Sequence, residues 1–449
     1  MSFQKYLDVV SGNFRKAVKV EWLNPDESVA FEFTNALYDV NVDLSVNYQN
    51  GSRRTCTLTL NNDRNQFPIN FNNIWFGQKF KLWMGIYIDE KTPYYFPQGV
   101  FYVSNPDEVY QPSNRTTKIN GVDKWAFLDG TLGGKLHGTY QTNIGNDLLK
   151  ATRALLKLSR YADSFDETDD TTKMLDPMSP FISPYFLTKT TYVLTTDTSR
   201  ADGKTYYSYN KSEGTYTEYT DSSIEGKYTK EYVKKCPYTA KVERGKTYAD
   251  VLLEYATILC AHIYYDVNGR LTIEPMTDEA DDITDTNKET VWHFTVEKKQ
   301  LLGLNTTYNF DKVYNDIIVL GNIVNGYQFK ARVQNRNLAS DSCVQKIGLK
   351  TKDPFEDNQY YSDEQCKELA IYYAKTDTIL QKSGSISSTP LYHLDVNKLV
   401  TISTPNNNMS KELFLITGYT LNSSDSMSVN VTSVNVLKDF SVVEVDVYE

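Results

Sequence analysis

Residues that could do chemistry are few in this chain, and they lie far apart in the sequence. The four histidines are His137, His262, His293 and His393, and none has the HxH, HExxH or HxxxH spacing of a metal site. The chain contains no GxSxG nucleophile motif, no Walker A motif and no dinucleotide-binding fingerprint. The sequence therefore predicts no catalytic, no cofactor-binding and no metal-binding residue, and it indicates a protein that is not an enzyme.

Weaker chemical features point the same way. Residues 130–138 (GTLGGKLHG) are rich in glycine, but they lack the GK[ST] ending of a phosphate loop. The acidic pairs Asp169/Asp170 and Asp281/Asp282 fall in the stretches 163–170 and 277–290, which we expect to be loops. No apolar pocket would raise a carboxyl pKa there, as acid catalysis requires. The cysteines are odd in number and lack CxxC spacing, so we expect free, partly buried thiols at Cys56, Cys236, Cys260, Cys343 and Cys366.

Charge and hydropathy exclude two further classes. The chain has 47 basic and 57 acidic residues, a net charge of −10, and no basic stripe of the kind that holds nucleic acid by its phosphates. A mildly acidic wall is still compatible with a duct along which DNA slides, since it repels phosphates. The N-terminus MSFQKYLDVV lacks the apolar core of a secretory signal, and no run of 18 apolar residues occurs. We expect a protein made in a cytosol, without stable membrane insertion.

Length and composition favour a β-rich protein of two to four domains. A chain of 449 residues exceeds what one hydrophobic core supports. Tyrosine is abundant, with 34 residues among many Thr, Val and Asn, which favours strands and turns. These tyrosines fit large half-polar interfaces, or they simply cover exposed β-faces. Both interpretations remain open from composition alone.

Strand patterns dominate residues 14–130. Apolar residues alternate from Val40 to Tyr48 and again after Arg54, where Cys56, Leu58 and Leu60 share one face; Asn50-Gly51 between them is a hairpin signal. In the next strand the alternation places Phe80, Leu82 and Met84 inward, and Lys79, Lys81 and Trp83 outward. Five or more short antiparallel strands fit a closed barrel, which removes exposed edges.

Helices are predicted at three places. Ser362 and Gln365 form a capping-box pair before an apolar helical face, which gives a helix over 362–380; Gly384 ends it, and a polar link leads to a strand at Leu399. Thr247 and Asp250 form a second capping-box pair, followed by a helix and a hairpin about Asn268-Gly269. Residues 140–160 show a third helical pattern.

Two further β segments differ in character. Residues 313–335 (VYNDIIVLGNIVNGYQFKARVQN) predict a hairpin about Asn325-Gly326. Residues 185–233 have few aliphatic side chains and many Tyr, Thr, Ser and Gly, and Asp202-Gly203 and Glu213-Gly214 predict hairpins there. This segment is similar to small Tyr-rich β-modules of phage virion proteins, and we expect it to be a surface insertion docked on its host domain. A glycan or partner contact and a simple spacer both remain open for it.

Several of these segments together resemble one protein family. RRTCTLTLNNDRNQFPIN, IWFGQKFKLWMGI, PQGVFYVSNPDE and TTKINGVDKWAFLDG follow one another, and AHIYYDVNGRLTIEP, the 313–335 hairpin and the 362–380 helix come later. In this order they resemble the central hub proteins of phage tails and baseplates. The resemblance implies an α+β, predominantly β fold with two tube-like β-barrel domains, at 1–130 and 301–449, the second of which begins with the 313–335 hairpin. Between them would lie a helix-containing middle domain at 131–300 that carries the Tyr-rich insertion at 185–233.

The resemblance also implies a function and partners. Such a hub is a homotrimer whose six barrels form a pseudo-six-fold ring at the tail tip. It would contact the tail tube or distal tail protein ring above and a spike, fibre or tail-tip protein below. Tape-measure protein and DNA would pass through its lumen without specific binding. We expect assembly in the host cytoplasm and a final place in the virion. A distal-tail or receptor-binding protein, a tail-associated cell-wall hydrolase, and a bacteriocin or injection-system hub remain alternatives.

A functional role follows for one sequence feature. Under the hub interpretation, we expect Arg53 and Arg54 to face a partner ring, so that reversing their charge would weaken docking more than it would unfold the monomer.

Overall fold

The structure, a computed structural model, describes residues 2–38, 40–71, 73–111, 114–161, 190–195, 197–210, 215–232, 235–259, 261–275, 290–296, 300–311, 313–324, 326–358, 360, 362–378, 382–405, 409–422, 426–434 and 440–443. The fold is predominantly β, with 49% strand and 16% helix, as expected. The predicted acidic loops at 163–170 and 277–289, the Glu213-Gly214 turn, Asn325 and Cys260 lie outside the described residues.

The first lobe is an antiparallel sheet near the N-terminus. It consists of β1 (Lys16–Leu23), β2 (Val29–Thr34), β3 (Asn41–Asn47), β4 (Arg54–Asn61), β5 (Lys79–Tyr87), β6 (Pro93–Gln111) and β7 (Asn114–Asp123). Its strand order is β3-β4-β7-β6-β5-β1-β2. Helix α1 (Ser2–Val10) precedes it, and the short α2 (Asn35–Tyr38) follows β2. The predicted alternation is confirmed, since β3, β4 and β5 bury Val42, Leu44, Val46, Cys56, Leu58, Leu60, Phe80, Leu82 and Met84.

The second lobe comes from the C-terminal part of the chain. It consists of β16 (Trp292–Thr295), β17 (Leu301–Tyr308), β21 (Lys382–Ser388), β22 (Leu399–Thr404), β23 (Met409–Leu421) and β24 (Met427–Ser433). Its order is β17-β21-β24-β23-β22-β16, with only the β16–β22 pair parallel. We expected a polar link after Gly384, but β21 occupies that segment.

The two lobes join directly. Residues 418–421 of β23 pair antiparallel with residues 44–47 of β3, so that Leu421 lies opposite Leu44 and Gly418 opposite Asn47. Both lobes therefore belong to one 13-stranded sheet, and their apolar side chains form one continuous core. Among the described strands, the pairing follows a path that starts at β17 and ends at β2, and it does not close a barrel.

The lobes repeat one strand order. Five strands of the first lobe lie in the order β3-β4-β7-β6-β5, and five strands of the second lobe lie in the order β17-β21-β24-β23-β22. In both sets the first and second strands along the chain are followed by the fifth, the fourth and the third. The fourth strand of each set is long: β6 has 19 residues and β23 has 13. Each of these long strands also has a register shift against its neighbour β7 or β24. The repeat covers five strands of each lobe and stops at the flanking strands β1, β2 and β16.

A middle part packs around a second core. It contains a 3₁₀ helix (Lys124–Phe127), β8 (Tyr140–Thr142), α3 (Leu148–Tyr161), β13 (Ala240–Val242), α4 (Tyr248–Leu259), β14 (Ala261–Tyr265) and β15 (Leu271–Pro275). The capping box before α4 is confirmed, because Thr247 N donates to Asp250 Oδ2 at 2.7 Å and Asp250 N donates to Thr247 Oγ1 at 3.2 Å. The hairpin about Asn268-Gly269 is also present.

Helix α3 starts later than its periodicity predicted. Residues 140–142 form β8, which pairs with β13, and so they are unavailable to a helix. Asp147 Oδ1 accepts hydrogen bonds from the amides of Leu149 and Lys150, at 3.0 and 3.2 Å. This capping geometry sets the start of α3, and Ile144 lies outside the helix.

The Tyr-rich insertion folds as its own small sheet. It consists of β9 (Thr190–Leu194), β10 (Tyr206–Asn210), β11 (Thr215–Tyr219) and β12 (Tyr228–Tyr232), in the order β11-β10-β12-β9. The Asp202-Gly203 turn lies in the connection between β9 and β10, which do not pair with each other, so it is not a hairpin turn. Tyr209 packs on Phe329, with ring centroids 6.2 Å apart, which docks the module on the body of the protein.

A last sheet carries the predicted 313–335 hairpin. It consists of β18 (Asp316–Val324), β19 (Tyr327–Gln334), β20 (Phe355–Glu356) and β25 (Ser441–Val443), near the short α5 (Val344–Ile347). We expected this hairpin to begin the second tube domain, but it lies apart from the 13-stranded sheet and packs with the middle core. Helix α6 (Asp363–Asp377) covers it. Ser362 is the predicted N-cap, since its Oγ accepts a hydrogen bond from Gln365 N at 3.1 Å.

Candidate functional site at the junction of the lobes

Buried charge is concentrated where the two lobes meet the middle part. Arg53 and Arg54, just before and at the start of β4, have only 2% and 1% of their surface exposed. Asp123, at the end of β7, accepts both of their backbone amides through Oδ2, at 2.6 and 3.0 Å. It also caps the 3₁₀ helix by accepting from Trp125 N. Burial raises the pKa of Asp123, and the two amides oppose that rise.

The Arg54 side chain joins three parts of the molecule. From β4 in the first lobe, its guanidinium donates to the Tyr265 carbonyl of β14 at 2.9 Å and to Asp395 Oδ1, before β22, at 2.6 Å. Burial has the largest single effect on the pKa of Arg54 and lowers it, but Asp395, Tyr419, Tyr264 and Asp123 together raise that pKa above its usual value. A buried guanidinium shared by three segments fixes their relative positions.

The Arg53 side chain makes a second contact to the middle part. Its guanidinium carbon lies 3.3 Å from the Tyr264 ring centroid, and its Nε donates to the Gln49 carbonyl at 2.7 Å. A planar guanidinium stacked on an aromatic face gains both cation–π attraction and packing. Our expectation that Arg53 and Arg54 face a partner ring is therefore wrong, because both side chains are buried inside the chain that carries them.

Two lysines form a related cluster close by, since Lys124 Nζ lies 5.5 Å from the Tyr265 ring centroid. Lys79 and Lys124 both place Nζ on Glu27 Oε1, and Lys124 Nζ also donates to the Gly269 carbonyl at 2.8 Å. The alternation of β5 predicted an outward Lys79, but this side chain is buried. Gly269 has φ of +71°, and a Cβ there would lie 2.8 Å from Val100 Cβ. The β14–β15 turn thus fits closely against the first lobe.

Polar contacts also link the lobes beside the shared strands. Gln98 on β6 donates to the Tyr392 carbonyl of the second lobe at 3.0 Å. The Tyr6 hydroxyl of α1 accepts the Tyr392 amide at 3.1 Å, and it lies 3.1 Å from His393 Nδ1. Burial lowers the pKa of His393 to about 4. These contacts and the β3–β23 pairing hold the two lobes as one unit.

The histidines do not come together. His137 is exposed, His262 lies beside Asn50 and Tyr48, and His293 lies 2.7 Å from Thr401 Oγ1. Within the part of the chain that the structure describes, no three His, Cys, Asp or Glu side chains form a metal-binding group. Free buried thiols are confirmed at Cys56, Cys236, Cys343 and Cys366. No helix among the described residues has the length and hydropathy needed to cross a membrane.

Sequence reasoning singled out no catalytic, cofactor or metal residue, and it assigned Arg53 and Arg54 to a partner ring, so it missed the junction. Period-two alternation places Arg54 on the same face as Cys56 and Leu58, which is the buried face, so a signal for its burial was present. Its partner Asp395 lies 341 residues away in sequence, and no local pattern indicates that contact.

Known proteins share this architecture. No protein-family model matches the sequence, and no curated protein matches it either. The structure is similar to the tail protein from Neisseria meningitidis MC58, with a TM-score of 0.54 and 10% identity over 94% of this chain and 97% of that chain. It is also similar to the 43 kDa tail protein of prophage MuSo2 from Shewanella oneidensis, with a TM-score of 0.50 and 11% identity over 93% and 98%. The chain has the fold of these tail proteins.

The resemblance drawn from the sequence motifs is thus confirmed for the fold. A third tail protein, prophage gp18 from Listeria monocytogenes EGD-e, aligns with a TM-score of 0.48 and 9% identity over 92% of this chain and 94% of its own. The identities of 10% and 11% to the Neisseria and Shewanella proteins make those a similarity of fold.

Proposed function

We propose that the chain is a virion structural protein, the trimeric hub of a phage tail tip or baseplate. The hub adapts the six-fold tail tube to a three-fold spike or fibre assembly, and it forms the conduit for tape-measure protein and DNA. The observation that carries this proposal is the repeat: two lobes of one chain follow the same five-strand order and share one sheet. Two similar lobes per subunit let three subunits match a six-fold ring.

The buried junction supports this role. A subunit that stands for two neighbours of a ring needs its lobes held at a fixed angle. Arg54, which donates to Tyr265 and Asp395, and the paired strands β3 and β23 supply that constraint within the chain. The net charge of −10 suits a passage through which DNA moves without binding.

The proposal includes the partners and the location expected for such a hub. The two lobes are its tube-like domains, and the middle part with the Tyr-rich module lies between them in sequence. A tail tube or distal tail protein ring lies above, and a spike, fibre or tail-tip protein lies below. The subunits assemble in the host cytoplasm and end in the tail tip of the virion.

A native mass measurement tests the trimer. Three copies of the 51.4 kDa chain give about three times that mass, and particles seen by negative-stain microscopy should have an open centre. The native mass is measured at several protein concentrations, because an obligate ring persists on dilution. A particle that is dimeric at all concentrations, or one with a closed centre, would contradict the hub.

The alternatives make different predictions. A receptor-binding protein would bind glycans on an array through the Tyr-rich module, and deletion of that module would abolish the binding. In the structure, however, the Tyr192 and Tyr216 rings stack on each other at 3.8 Å, and Tyr209 packs on Phe329 of β19, so these rings serve the packing of the module and its docking on the body. A cell-wall hydrolase would clear a zymogram of host walls, and we expect no clearing.

A further inference from the structure

A cavity of about 340 Å³ lies where the two lobes meet the middle part. Its walls come from β6 of the first lobe, from β14, β15 and their turn, and from the loop before β22 in the second lobe. At about 30 Å³ for each water molecule, this space would hold about eleven waters or one small organic molecule. Ligand sites of proteins are typically cavities of this size at the boundary between parts of a chain.

Aromatic side chains form part of the wall. Phe96, Tyr264 and Tyr392 all line the cavity. The imidazole of His393 lines it as well, and burial lowers the pKa of His393 to about 4, so this ring carries no charge at neutral pH. Aromatic rings attract organic cations, and they also pack against the carbon chain of such a ligand.

Three carboxylates line the same space: Asp266, Glu274 and Asp395. Both aspartates use one oxygen for donors of the chain itself. Asp266 Oδ1 accepts two backbone amides of its own turn, and Asp395 Oδ1 accepts from the Arg54 guanidinium and from one backbone amide. Among the described residues, none donates a hydrogen bond to the Oδ2 atom of either aspartate.

Hydrogen-bond donors are scarcer than acceptors on this wall. Asn397 lines the cavity, but its Nδ2 already donates to Glu274 Oε1. Among the described lining residues, Lys398 is the only cation at neutral pH, and it is exposed. Three carboxylates and one lysine therefore leave acceptors that a ligand rich in donors would satisfy.

The two arginines of the junction do not supply these donors. Arg54 already donates to Asp395 and to the middle part. Arg53 stacks on Tyr264 and attracts Glu274, but its guanidinium does not line the cavity. The positive charges of the arginines favour ionised carboxylates, and ionised carboxylates are acceptors only.

The carboxylates do not converge on one point. Three carboxylates and a histidine line this cavity, yet no three His, Cys, Asp or Glu side chains of the described residues form a metal-binding group. Calcium and magnesium require several oxygen ligands at one centre. Separated carboxylates beside aromatic rings fit an elongated organic cation better than a metal ion.

We infer that this cavity binds an organic cation, namely an ammonium or guanidinium group on a short carbon chain. Asp266 and Glu274 bind the cationic group, and the rings of Phe96 and Tyr392 pack against the carbon chain. Free diamines carry this chemistry, and so does the Lys or Arg side chain of a partner protein. The cavity is formed within one copy of the chain, so the inference does not depend on the proposed hub.

Melting curves and calorimetric titration of the full chain with putrescine test the inference. The matched control ligand is butanediol, which has the same carbon chain without the charges, and both are compared at constant ionic strength. Because the ligand binds only the folded chain, we expect putrescine to raise the melting temperature in a saturable way. Butanediol should leave the melting temperature unchanged.

Substitutions on the wall locate the binding. Asp266→Asn and Glu274→Gln keep the oxygen that the chain itself uses but remove the charge, and each should weaken putrescine binding by about ten-fold. Asp129→Asn is the matched control, because Asp129 Oδ1 also accepts a backbone amide two residues on, at 2.9 Å, but lies outside the cavity lining. Val267→Trp fills the space without a change in charge and should abolish binding.

A capped peptide of glycine and serine with one central lysine separates the two sources. Binding of the peptide and of putrescine supports the cation site, with tighter peptide binding indicating a partner side chain and tighter putrescine binding indicating a free amine. The inference would be overturned if neither probe bound saturably, if butanediol bound equally well, or if Val267→Trp bound putrescine like the wild-type chain. If Val267→Trp failed to fold, wild-type affinity in both Asp266→Asn and Glu274→Gln would overturn it instead.

Discussion

Replacing Arg54 should destabilise the fold rather than detach the molecule from a partner. The side chain is 1% exposed and holds Tyr265 and Asp395 at 2.9 and 2.6 Å. In Arg54→Met, an apolar chain of similar length fills much of the space, but the Asp395 carboxylate and the Tyr265 carbonyl lose their donor.

The magnitude follows from those two losses. Breaking a buried ion pair by removing one partner costs about 3–5 kcal/mol. The Asp395 side chain is 24% exposed, so water can rehydrate part of it, and the lower end of that range applies. We expect a loss of about 3 kcal/mol for Arg54→Met, and a larger one for Arg54→Glu, which would face two carboxylates toward each other.

Urea unfolding followed by tryptophan fluorescence measures the change. The matched control is Arg64→Glu, which makes the same charge change at an exposed arginine after β4 and should leave the midpoint unchanged. The double variant Arg54→Met, Asp395→Asn removes both charges and should recover part of the loss. If Arg54→Glu unfolded at the wild-type urea concentration and only failed to associate, Arg54 would not be part of a buried junction.

Three further predictions follow from single positions. Burial lowers the pKa of His393 from 6.5 to about 4. Between these pH values the unfolded chain therefore binds more protons than the folded chain. The free energy of unfolding is unaffected by this histidine above pH 6.5, and it falls by about 3 kcal/mol as the pH is lowered toward 4. Lowering the pH from 7 to 4.5 should therefore lower the melting temperature of the wild-type chain more than that of His393→Gln. Gly269→Ala should lower stability more than Gly245→Ala in urea melts, since both have positive φ but only Gly269 meets neighbouring atoms. Ser362→Ala should cost about 1 kcal/mol by the same assay, and Ser362→Asp should restore most of it.

Local sequence patterns predicted the helix caps, the alternating strands and one hairpin. The capping pairs at Thr247 and Ser362, the alternating faces of β3 to β5 and the Asn268-Gly269 hairpin follow from spacing within a few residues. Strand β21 was missed because KSGSISS places Gly384 and Ser388 on the buried face, and only Ile386 there is apolar. Its neighbours β17 and β24, rather than its own pattern, make it a strand.

The buried charges at the junction could not be predicted from local patterns alone. The alternation of β4 predicted that Arg54 points inward. A buried arginine is costly without a partner, however, and the partner Asp395 comes from the other lobe. Lys79 was placed outward by the same alternation, but its Nζ binds Glu27 and the Pro25 carbonyl instead. Contacts between distant segments decide which polar side chains a fold can bury.

The place where the repeat stops bears on the symmetry of the proposed ring. Five strands correspond between the lobes, but the next strand differs: β1 pairs antiparallel with β5, whereas β16 pairs parallel with β22. A ring of three such subunits would be six-fold in the shared strands and three-fold in the flanking strands. Averaging a density map of the particle with six-fold symmetry should then preserve the shared strands and blur β1, β2 and β16. A map in which all of these strands survive six-fold averaging would mean that the subunits do not alternate as two kinds of lobe, and the adaptor role would lose its structural basis.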